Sequence, residues 1–302
     1  MNANRIALNE INQNVKLNKF EFIETCEQNF KAQIKRILNF LMQHKKIKYI
    51  LLAGPSSSGK TTTSKLLSQN LIQNGFDALA LSLDDFFVDR HQTPLWKDGT
   101  YNFETYKSID WKLFGKCMKS LENRDPTVIP SYNFKTGYKE FGTQTKILKD
   151  DTIVIIEGLH ALNPIINKYI PKQKCLKVYT SVNTDIYKNN KLLMSHETIR
   201  FYRRLIRDLF SRGTSIEETI KYWEKVTLGE ILYINPYIKT VQLKIDSFHP
   251  YELSVFNNIL NNFQNFNSNQ LENAKKMLGN FEQLNYKFVP NDSVLEEFIP
   301  KK

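Results

Sequence analysis

The sequence predicts an α/β fold with a doubly wound parallel sheet. Short apolar runs, typical of buried strands, alternate with stretches whose apolar residues recur at helical spacing. A glycine-rich turn joins the first predicted strand to a helix, and a second strand follows that helix directly. At 302 residues, the chain is long enough for one large α/β domain with appended helices.

A βαβ unit opens the predicted sheet, after an amphipathic helix over residues 20–43. Residues 48–53 form a β-branched, apolar strand, residues 60–74 a helix, and residues 78–83 the second strand. The crossover of such a unit is right-handed and its two strands are parallel. We expect the amphipathic helix to pack on this unit.

The rest of the chain continues the alternation of strands and helices. The predicted elements are a helix near 111–121, strands at 152–156, 176–180 and 241–245, and helices at 198–211 and 216–226. The strand at 152–156 contains a continuous apolar run, which is typical of a strand covered on both faces. The last fifty residues are predicted to be helical with an irregular tail.

Composition and charge narrow the class of protein. The formal net charge of +11 is compatible with a nucleic-acid partner, a phosphate-rich small substrate or a lysine-rich composition alone. The lysines are scattered, without an aromatic platform or a recognisable nucleic-acid module, which argues against nucleic acid. Cys26, Cys117 and Cys175 share no metal-ligand spacing. Because the sequence has no apolar run of signal-peptide or membrane length, we expect a cytoplasmic protein without a membrane span.

Residues 54–61 match the eight-residue pattern of a phosphate-binding P-loop. Glycines at both ends let the backbone curl so that successive N–H groups face an anion, and the helix N-terminus adds its dipole. Lys60 is expected to reach the β- and γ-phosphates of ATP, and the Thr61 hydroxyl to coordinate Mg²⁺. The alternative is a Gly/Ser turn that contains lysine by coincidence, which the flanking strand and helix disfavour. The predicted nucleotide-binding residues of the loop are Gly54, Pro55, Ser56, Ser57, Ser58, Gly59, Lys60, Thr61 and Thr62.

Carboxylates follow two of the predicted strands. Asp84 and Asp85 lie at the carboxyl end of the second strand, the edge of an open α/β sheet where ligands bind. One of them is a candidate acceptor for the proton of a substrate hydroxyl, with capping of the next turn as the alternative. Glu157 ends the strand at 152–156, a position from which an acid assists Mg²⁺ beside a P-loop.

An arginine stripe marks the helix at 198–211. Its members, at i, i+3, i+4 and i+7, project from one helix face, and they are Arg200, Arg203, Arg204 and Arg207. Arg212 extends the stripe to a predicted hinge at Gly213. Like charges packed together repel each other, so we expect a polyphosphate to neutralise the stripe. We therefore expect this helix to be a mobile lid that closes on ATP. A solvated face paired with acidic neighbours is the alternative.

Five blocks, in this order along the chain, resemble the phosphoribulokinase/uridine kinase family, particularly its bacterial uridine kinase-like nucleoside kinases. The resemblance runs from about residue 25 to the C-terminus, and the final run at 289–298 is also similar. The blocks are AGPSSSGKTT at 53–62, SLDDFFVDR at 82–90, YNFKTG at 132–137, IEGLHALNP at 156–164 and the arginine helix.

The resemblance implies roles for individual residues. Asp84 is implied as the catalytic base, Glu157 as the residue that assists magnesium, and Glu104 as a contact of the ribose hydroxyls. Tyr132 and Phe134 are implied as the lining of the nucleoside pocket, with plain core packing as the alternative. The lid or phosphate-facing arginines are Arg200, Arg203, Arg207 and Arg212, and the catalytic set is Asp84, Lys60, Arg203 and Arg207. Within the implied P-loop kinase fold, residues 1–45 and 251–302 are helical extensions of a kinase domain at 46–250.

Several positions depart from the family pattern. Gly137 stands where animal-type uridine–cytidine kinases have a base-reading histidine, and Asn133 where many relatives have aspartate. Because of Gly137, we expect loose recognition of the base.

The motifs and the resemblance together predict an ATP- and Mg²⁺-dependent kinase that phosphorylates the 5′-hydroxyl of a nucleoside, uridine or cytidine first. Alternatives are a kinase of another hydroxylated small molecule, such as a phosphorylated sugar, and a non-catalytic nucleotide-binding regulatory protein. A homo-oligomer is compatible with the sequence.

Overall fold

The computed structural model describes residues 3–262 and 269–301. Their strands and longer helices are, in chain order, β1 (Asn4–Ala7), α1 (Leu8–Gln43), β2 (Tyr49–Ala53), α2 (Lys60–Gln73), β3 (Ala78–Ser82), α3 (Trp111–Glu122), β4 (Thr127–Asn133), β5 (Tyr138–Lys146), β6 (Ile153–Glu157), β7 (Cys175–Ser181), β8 (Thr184–Lys188), β9 (Lys191–Met194), α4 (His196–Arg207), α5 (Ile216–Tyr233), β10 (Leu243–Asp246), α6 (Glu252–Asn262) and α7 (Asn269–Leu278). None of the helices in these ranges is long and apolar enough to cross a membrane.

The central sheet has five parallel strands in the order β10-β7-β2-β6-β3. Its middle strand β2 is buried along its whole length, so its side chains supply two separate cores. Ile50 and Leu52 pack with α1, α2 and α6 on one face, whereas Leu51 packs with α3 on the other. Helices on both faces of a parallel sheet confirm the predicted doubly wound α/β class.

The N-terminal helix is longer than predicted, and a strand precedes it. Helix α1 begins at Leu8, not near residue 20, and Asn18 interrupts it with non-helical torsion angles. Strand β1 precedes α1 and pairs with β8, which also pairs with β9, so a second sheet of three strands forms. Buried Leu8 and Ile11 explain the early start of α1, because they continue its apolar face toward the N-terminus.

Strands β4 and β5 form an antiparallel hairpin, which the sequence analysis did not predict. All but one residue of β5 are exposed, so the strand lacks the alternating apolar pattern by which strands are recognised. The hairpin turn contains Gly137 at φ +80°, a left-handed conformation that favours glycine. The hairpin projects the aromatic residues Tyr132 and Phe134 from the end of β4.

The C-terminal region returns to helix α2 beside the central sheet. Helices α6 and α7 agree with the helical prediction, while residues 263–268 of the predicted segment lie outside the described residues. Beyond α7, the irregular tail buries Phe281, Val289 and Leu295 in the same core as α1 and α2. A 3₁₀ turn over Val294–Glu297 contacts α2. The cysteines Cys26, Cys117 and Cys175 are buried and unpaired.

Candidate active site

A cavity of about 340 Å³ lies at the carboxyl ends of the central strands. The P-loop forms one side, the β3 and β6 ends form the floor, and α4 and α5 cover it. Predicted site residues among its lining are Ser56, Ser57, Lys60, Thr61, Asp84, Glu104, Phe134, Glu157, Arg207 and Arg212. A single cavity therefore brings together the predicted phosphate, metal, base and substrate residues.

The P-loop adopts a tight anion-binding turn between β2 and α2. A Cβ atom at Gly54 would lie 2.1 Å from the Thr180 carbonyl oxygen, so only glycine fits there. Gly59 has φ +78° and caps the N-terminus of α2. Ser57 also has a positive φ of 58°, which a non-glycine residue seldom adopts outside functional loops. The loop is thus bent in the manner needed to aim backbone N–H groups at an anion.

Polar groups of the loop fit a polyphosphate ligand. The side-chain hydroxyls of Ser57 and Ser58 are buried and have no hydrogen-bond partner among the described residues. The Lys60 ammonium donates to the Pro55 carbonyl oxygen at 3.0 Å, within the loop itself. Phosphate oxygens would accept hydrogen bonds from Ser57 and Lys60, which line the cavity, whereas Ser58 does not line it. These observations fit the predicted binding of the ATP phosphates.

The predicted magnesium residues lie side by side. The Thr61 hydroxyl donates to Glu157 Oε1 at 3.3 Å. Burial, followed by the nearby Asp84 charge, raises the pKa of Glu157 to about 7, against the opposing effect of Lys60. Within residues 3–262 and 269–301, no cluster of three or more acidic, histidine or cysteine side chains could hold a metal ion. This sparse oxygen donor set fits Mg²⁺, which keeps several waters and binds substrate phosphates.

Asp84 and Asp85 occupy different environments after β3. The Ser82 hydroxyl accepts from the Asp84 N–H at 3.3 Å and starts a short 3₁₀ turn, which directs Asp84 into the cavity. Burial raises the pKa of Asp84, while Lys60 and Arg212 oppose this effect. Asp85 instead accepts from the Tyr132 N–H at 3.4 Å and braces the hairpin. Asp84 is therefore the better-placed candidate base.

Glu104 faces the cavity from the loop between β3 and α3. Burial raises the pKa of its carboxyl to about 7, and Arg204 opposes this rise. A Cβ atom at Gly229 would lie 2.5 Å from the Glu104 Cβ, so glycine in α5 allows the helix to approach this carboxylate. The Asn102 side chain accepts from the Glu104 N–H at 3.1 Å and fixes the local backbone. Glu104 is thus held where a hydroxylated substrate would reach it.

The aromatic lining differs from the predicted one. Phe134 lines the cavity, but Tyr132 is only 6% exposed and lies behind it, with ring centroids 5.1 Å apart. The predicted substrate contact of Tyr132 is therefore not supported by this geometry. Aromatic residues that the sequence analysis did not assign complete the lining, namely Trp96, Tyr101, Phe103 and Tyr222.

The position of Gly137 also differs from expectation. Gly137 does not line the cavity, and a Cβ atom there would lie 2.7 Å from the Cβ of Arg90. The Arg90 guanidinium donates to the carbonyl oxygens of Phe134 and Lys135 and so fills the space beneath the turn. The expected gap beside the base is therefore occupied by an arginine that braces the hairpin.

The arginine stripe divides into two groups. Arg203 is fully buried, pairs with Glu252 at 2.6 Å and donates to the Ser247 carbonyl oxygen at 2.7 Å. Arg200 is 1% exposed and pairs with Glu230 at 2.6 Å. Neither side chain lines the cavity. The geometry gives Arg203 and Arg200 a structural role behind the P-loop, and their predicted phosphate contacts are not supported.

The second group surrounds one carboxylate at the cavity wall. Asp208, only 2% exposed, lies 3.1 Å from Arg204, 2.9 Å from Arg207 and 3.8 Å from Arg212. These three arginines line the cavity, and Arg212 belongs to a π-helical turn, Asp208–Arg212, that ends at Gly213. One carboxylate cannot neutralise three guanidinium groups, so this side of the cavity carries local positive charge that suits a phosphoryl group, whereas Asp84, Glu104 and Glu157 also line the cavity as acidic groups. The alternative of a solvated face does not describe Arg204, Arg207 and Asp208, which are largely buried, although the Arg212 side chain is half-exposed.

Several cavity residues were missed by sequence reasoning. Arg204 was part of the stripe but was not assigned to the site, although its guanidinium donates to the Ser56 hydroxyl at 3.0 Å. His160 lies within a block of the family resemblance, and burial lowers its pKa to about 4, so its ring is neutral. Lys225 and Glu297 also line the cavity. Glu297 lies within the run at 289–298 that resembles the family, although no role was assigned to it, whereas Lys225 carried no sequence signal.

Comparison with known proteins shows which family the chain belongs to. Residues 49–254 match the model of the Phosphoribulokinase / Uridine kinase family. A uridine kinase of Lactobacillus helveticus is 27% identical over 172 residues, which span 57% of this chain and 72% of that protein. A uridine kinase of Deinococcus deserti is 26% identical over 186 residues, 61% of this chain and 80% of that protein.

A solved structure described as a possible uridine kinase from Bacillus stearothermophilus aligns with a TM-score of 0.48 at 17% identity. The alignment covers 72% of this chain and all of that one. The family model spans the P-loop, the acidic residues Asp84, Glu104 and Glu157, and the arginine helix. The chain therefore belongs to the phosphoribulokinase/uridine kinase family.

Proposed function

We propose that this kinase transfers the γ-phosphate of ATP to the 5′-hydroxyl of a nucleoside, with uridine and cytidine as the first candidates. The observation that carries the proposal is the shared cavity of Lys60, Asp84 and Glu104. Asp84 lies between the phosphate-binding residues and the aromatic wall, where an acceptor hydroxyl would meet the γ-phosphate. Uridine kinases of 26–27% identity support the same reaction class.

In the proposed reaction, the Asp84 carboxylate accepts the proton of the attacking hydroxyl. A bond forms between the hydroxyl oxygen and the γ-phosphorus, and the bond from that phosphorus to the β–γ bridging oxygen breaks. Burial raises the pKa of Asp84, which makes it a stronger base than an exposed aspartate. Mg²⁺, when bound beside Thr61 and Glu157, supplies positive charge to the phosphate oxygens. Lys60 and Arg207 stabilise the negative charge that spreads over the transferring group.

The cavity wall favours a nucleoside over a phosphorylated sugar. Phe134, Phe103 and Tyr222 present aromatic faces or edges to the cavity, and a flat base packs well against such rings. The Glu104 carboxylate can accept hydrogen bonds from two ribose hydroxyls, which are the donors. Because Gly137 does not line the cavity and Arg90 fills the space beside it, stacking on the aromatic rings is the interaction that we expect to hold the base, with weak discrimination between uridine and cytidine.

A non-catalytic nucleotide-binding protein is the alternative from another class. Such a protein would need the P-loop but neither a buried base nor a positive wall. Asp84, Glu157 and the arginines around Asp208 are all retained in one cavity, which favours catalysis.

A transfer screen with one fixed ATP concentration tests the proposal. The acceptors are uridine, cytidine, their 2′-deoxy forms, a purine nucleoside and a phosphorylated sugar. We expect the highest kcat/KM for the pyrimidine ribonucleosides, and a loss of at least about tenfold for the 2′-deoxy forms, because one buried acceptor of Glu104 is left unpaired. Faster transfer to the phosphorylated sugar would support a kinase of another hydroxylated small molecule. Transfer to none of the acceptors would support a non-catalytic nucleotide-binding protein.

A further inference from the structure

The C-terminal tail contacts the P-loop directly. We define the closing segment as residues 293–298, which include the 3₁₀ turn Val294–Glu297. Val294 is fully buried, and its Cγ1 atom would lie 2.7 Å from a Cβ atom at Gly59. The Phe298 ring lies 5.0 Å from the Arg203 guanidinium, which in turn is 3.4 Å from the Ser57 carbonyl oxygen. The closing segment therefore forms the outer support of the phosphate-binding turn.

Glu297 extends from this segment into the active-site cavity. It lines the same cavity as Lys60 and Asp84, and its Oε2 atom accepts from the Thr62 hydroxyl at 3.2 Å. Thr62 lies in the first turn of α2, where the N-terminal N–H groups of the helix attract phosphate. A carboxylate thus occupies an anion-attracting position.

The Thr62 hydroxyl can satisfy only one of two anionic acceptors at a time. A threonine hydroxyl has a single O–H donor, and both carboxylate and phosphate oxygens can only accept. A phosphate at the N-terminus of α2 would therefore compete with Glu297 for this proton. The two negative charges would also repel each other in a part-buried site, where screening by water is reduced.

We propose that the closing segment is part of the nucleotide site and that Glu297 holds the place of a phosphate group on Thr62 until nucleotide displaces it. The proposal rests on the proposed ATP site but is independent of the acceptor. Glu297 then lowers the affinity for polyphosphate, and release of the Thr62 hydroxyl accompanies binding. The C-terminal tail would in this way set the concentration of nucleotide at which the site fills.

Isothermal titration of Mg·ATP and of Mg²⁺ with inorganic tripolyphosphate tests this proposal. The variants are Glu297→Gln, which keeps the size but removes the charge, and Glu297→Ala. Glu282→Gln is the matched control, because Glu282 is an exposed residue of the same tail and does not line the cavity. We expect both Glu297 variants to bind both ligands about 3- to 10-fold more tightly than wild type, with a smaller gain at high salt. The control is expected to match wild type.

Other outcomes would overturn the proposal. Weaker binding of ATP with unchanged binding of tripolyphosphate would make Glu297 a contact of the nucleoside part. Weaker binding of both ligands with a lower melting temperature would make it a structural clamp, and unchanged binding would give it no role. A wild-type protein that binds neither ligand would refute the ATP site itself. If the protein binds ATP but does not phosphorylate nucleosides, only the proposed acceptor is refuted, because no acceptor is present in this titration.

Discussion

Replacing Arg203 separates a structural role from a catalytic one. Its guanidinium makes two hydrogen bonds with Glu252, at 3.0 and 2.6 Å, and both side chains are fully buried. It also donates to the carbonyl oxygen and the hydroxyl of Ser247, at 2.7 and 3.0 Å. Arg203→Met removes these donors and leaves the Glu252 carboxylate buried without its charge partner, although the His249 N–H still donates to it at 3.2 Å.

We expect this change to lower the free energy of unfolding by about 3–5 kcal/mol, the cost of leaving one member of a buried ion pair uncompensated. For a chain of this size, that corresponds to a melting temperature lower by about 6–10 °C, at about 2 °C per kcal/mol. Differential scanning calorimetry measures the shift. Adding Glu252→Leu to Arg203→Met should recover most of the loss, because the apolar pair removes the stranded charge.

Arg212→Ala is the matched control, because the Arg212 side chain is 52% exposed and lines the cavity. Its stability should change by less than about 0.5 kcal/mol, while turnover falls at least about tenfold. An Arg203→Met protein that melts at the wild-type temperature but has lost turnover would refute the structural role. It would restore Arg203 to the catalytic set that the family resemblance implied.

Further predictions concern the cavity itself. Asp84→Asn should lower kcat by roughly 10²- to 10⁴-fold with native circular dichroism, and turnover near wild type would remove Asp84 from the mechanism. Burial raises the pKa of Glu104 to about 7, so its carboxylate form, the better acceptor for ribose, predominates only above that pH. The kcat/KM for nucleoside should therefore rise between about pH 6 and pH 8. Glu104→Gln should remove the part of that rise that is due to Glu104, while the part due to Glu157, whose pKa burial also raises to about 7, should remain. Hydrogen exchange in the Asp208–Arg212 turn should slow when Mg·ATP binds, whereas equal protection would contradict closure on phosphate.

The fold class could be predicted because its signals are local. The buried strand β2, the turn that follows it and helix α2 occur within 25 residues, and each has a strong apolar or glycine pattern. The three-stranded sheet could not be predicted in the same way. Strand β1 is four residues long with only Ile6 partly buried, and its partner β8 lies about 180 residues away. Long-range pairing of short, polar strands leaves no periodic signal.

In the site, too, residues marked by a local sequence pattern could be predicted, whereas contacts that depend on tertiary packing could not. Asp84 and Glu157 were identifiable because carboxylates at the ends of parallel strands share one sheet edge. The arginine spacing correctly indicated one helix face, but the partner of that face depends on α6. Glu252 draws Arg203 away from the cavity, and the closing segment brings Glu297 into it. The arginine spacing does not reveal the contact with Glu252, and the resemblance of the run at 289–298 does not reveal that Glu297 enters the cavity.

Product analysis of the transfer reaction tests the central claim most directly. Wild-type protein, Lys60→Ala and Asp84→Asn are each incubated with uridine, Mg²⁺ and ATP labelled at the γ-phosphate, and the position of the label in the product is determined. We predict uridine 5′-monophosphate from the wild type, none from Lys60→Ala and a rate reduced by roughly 10²- to 10⁴-fold from Asp84→Asn. Label on another hydroxyl, or 5′-labelled product formed equally well by the two variants, would contradict the proposed active site.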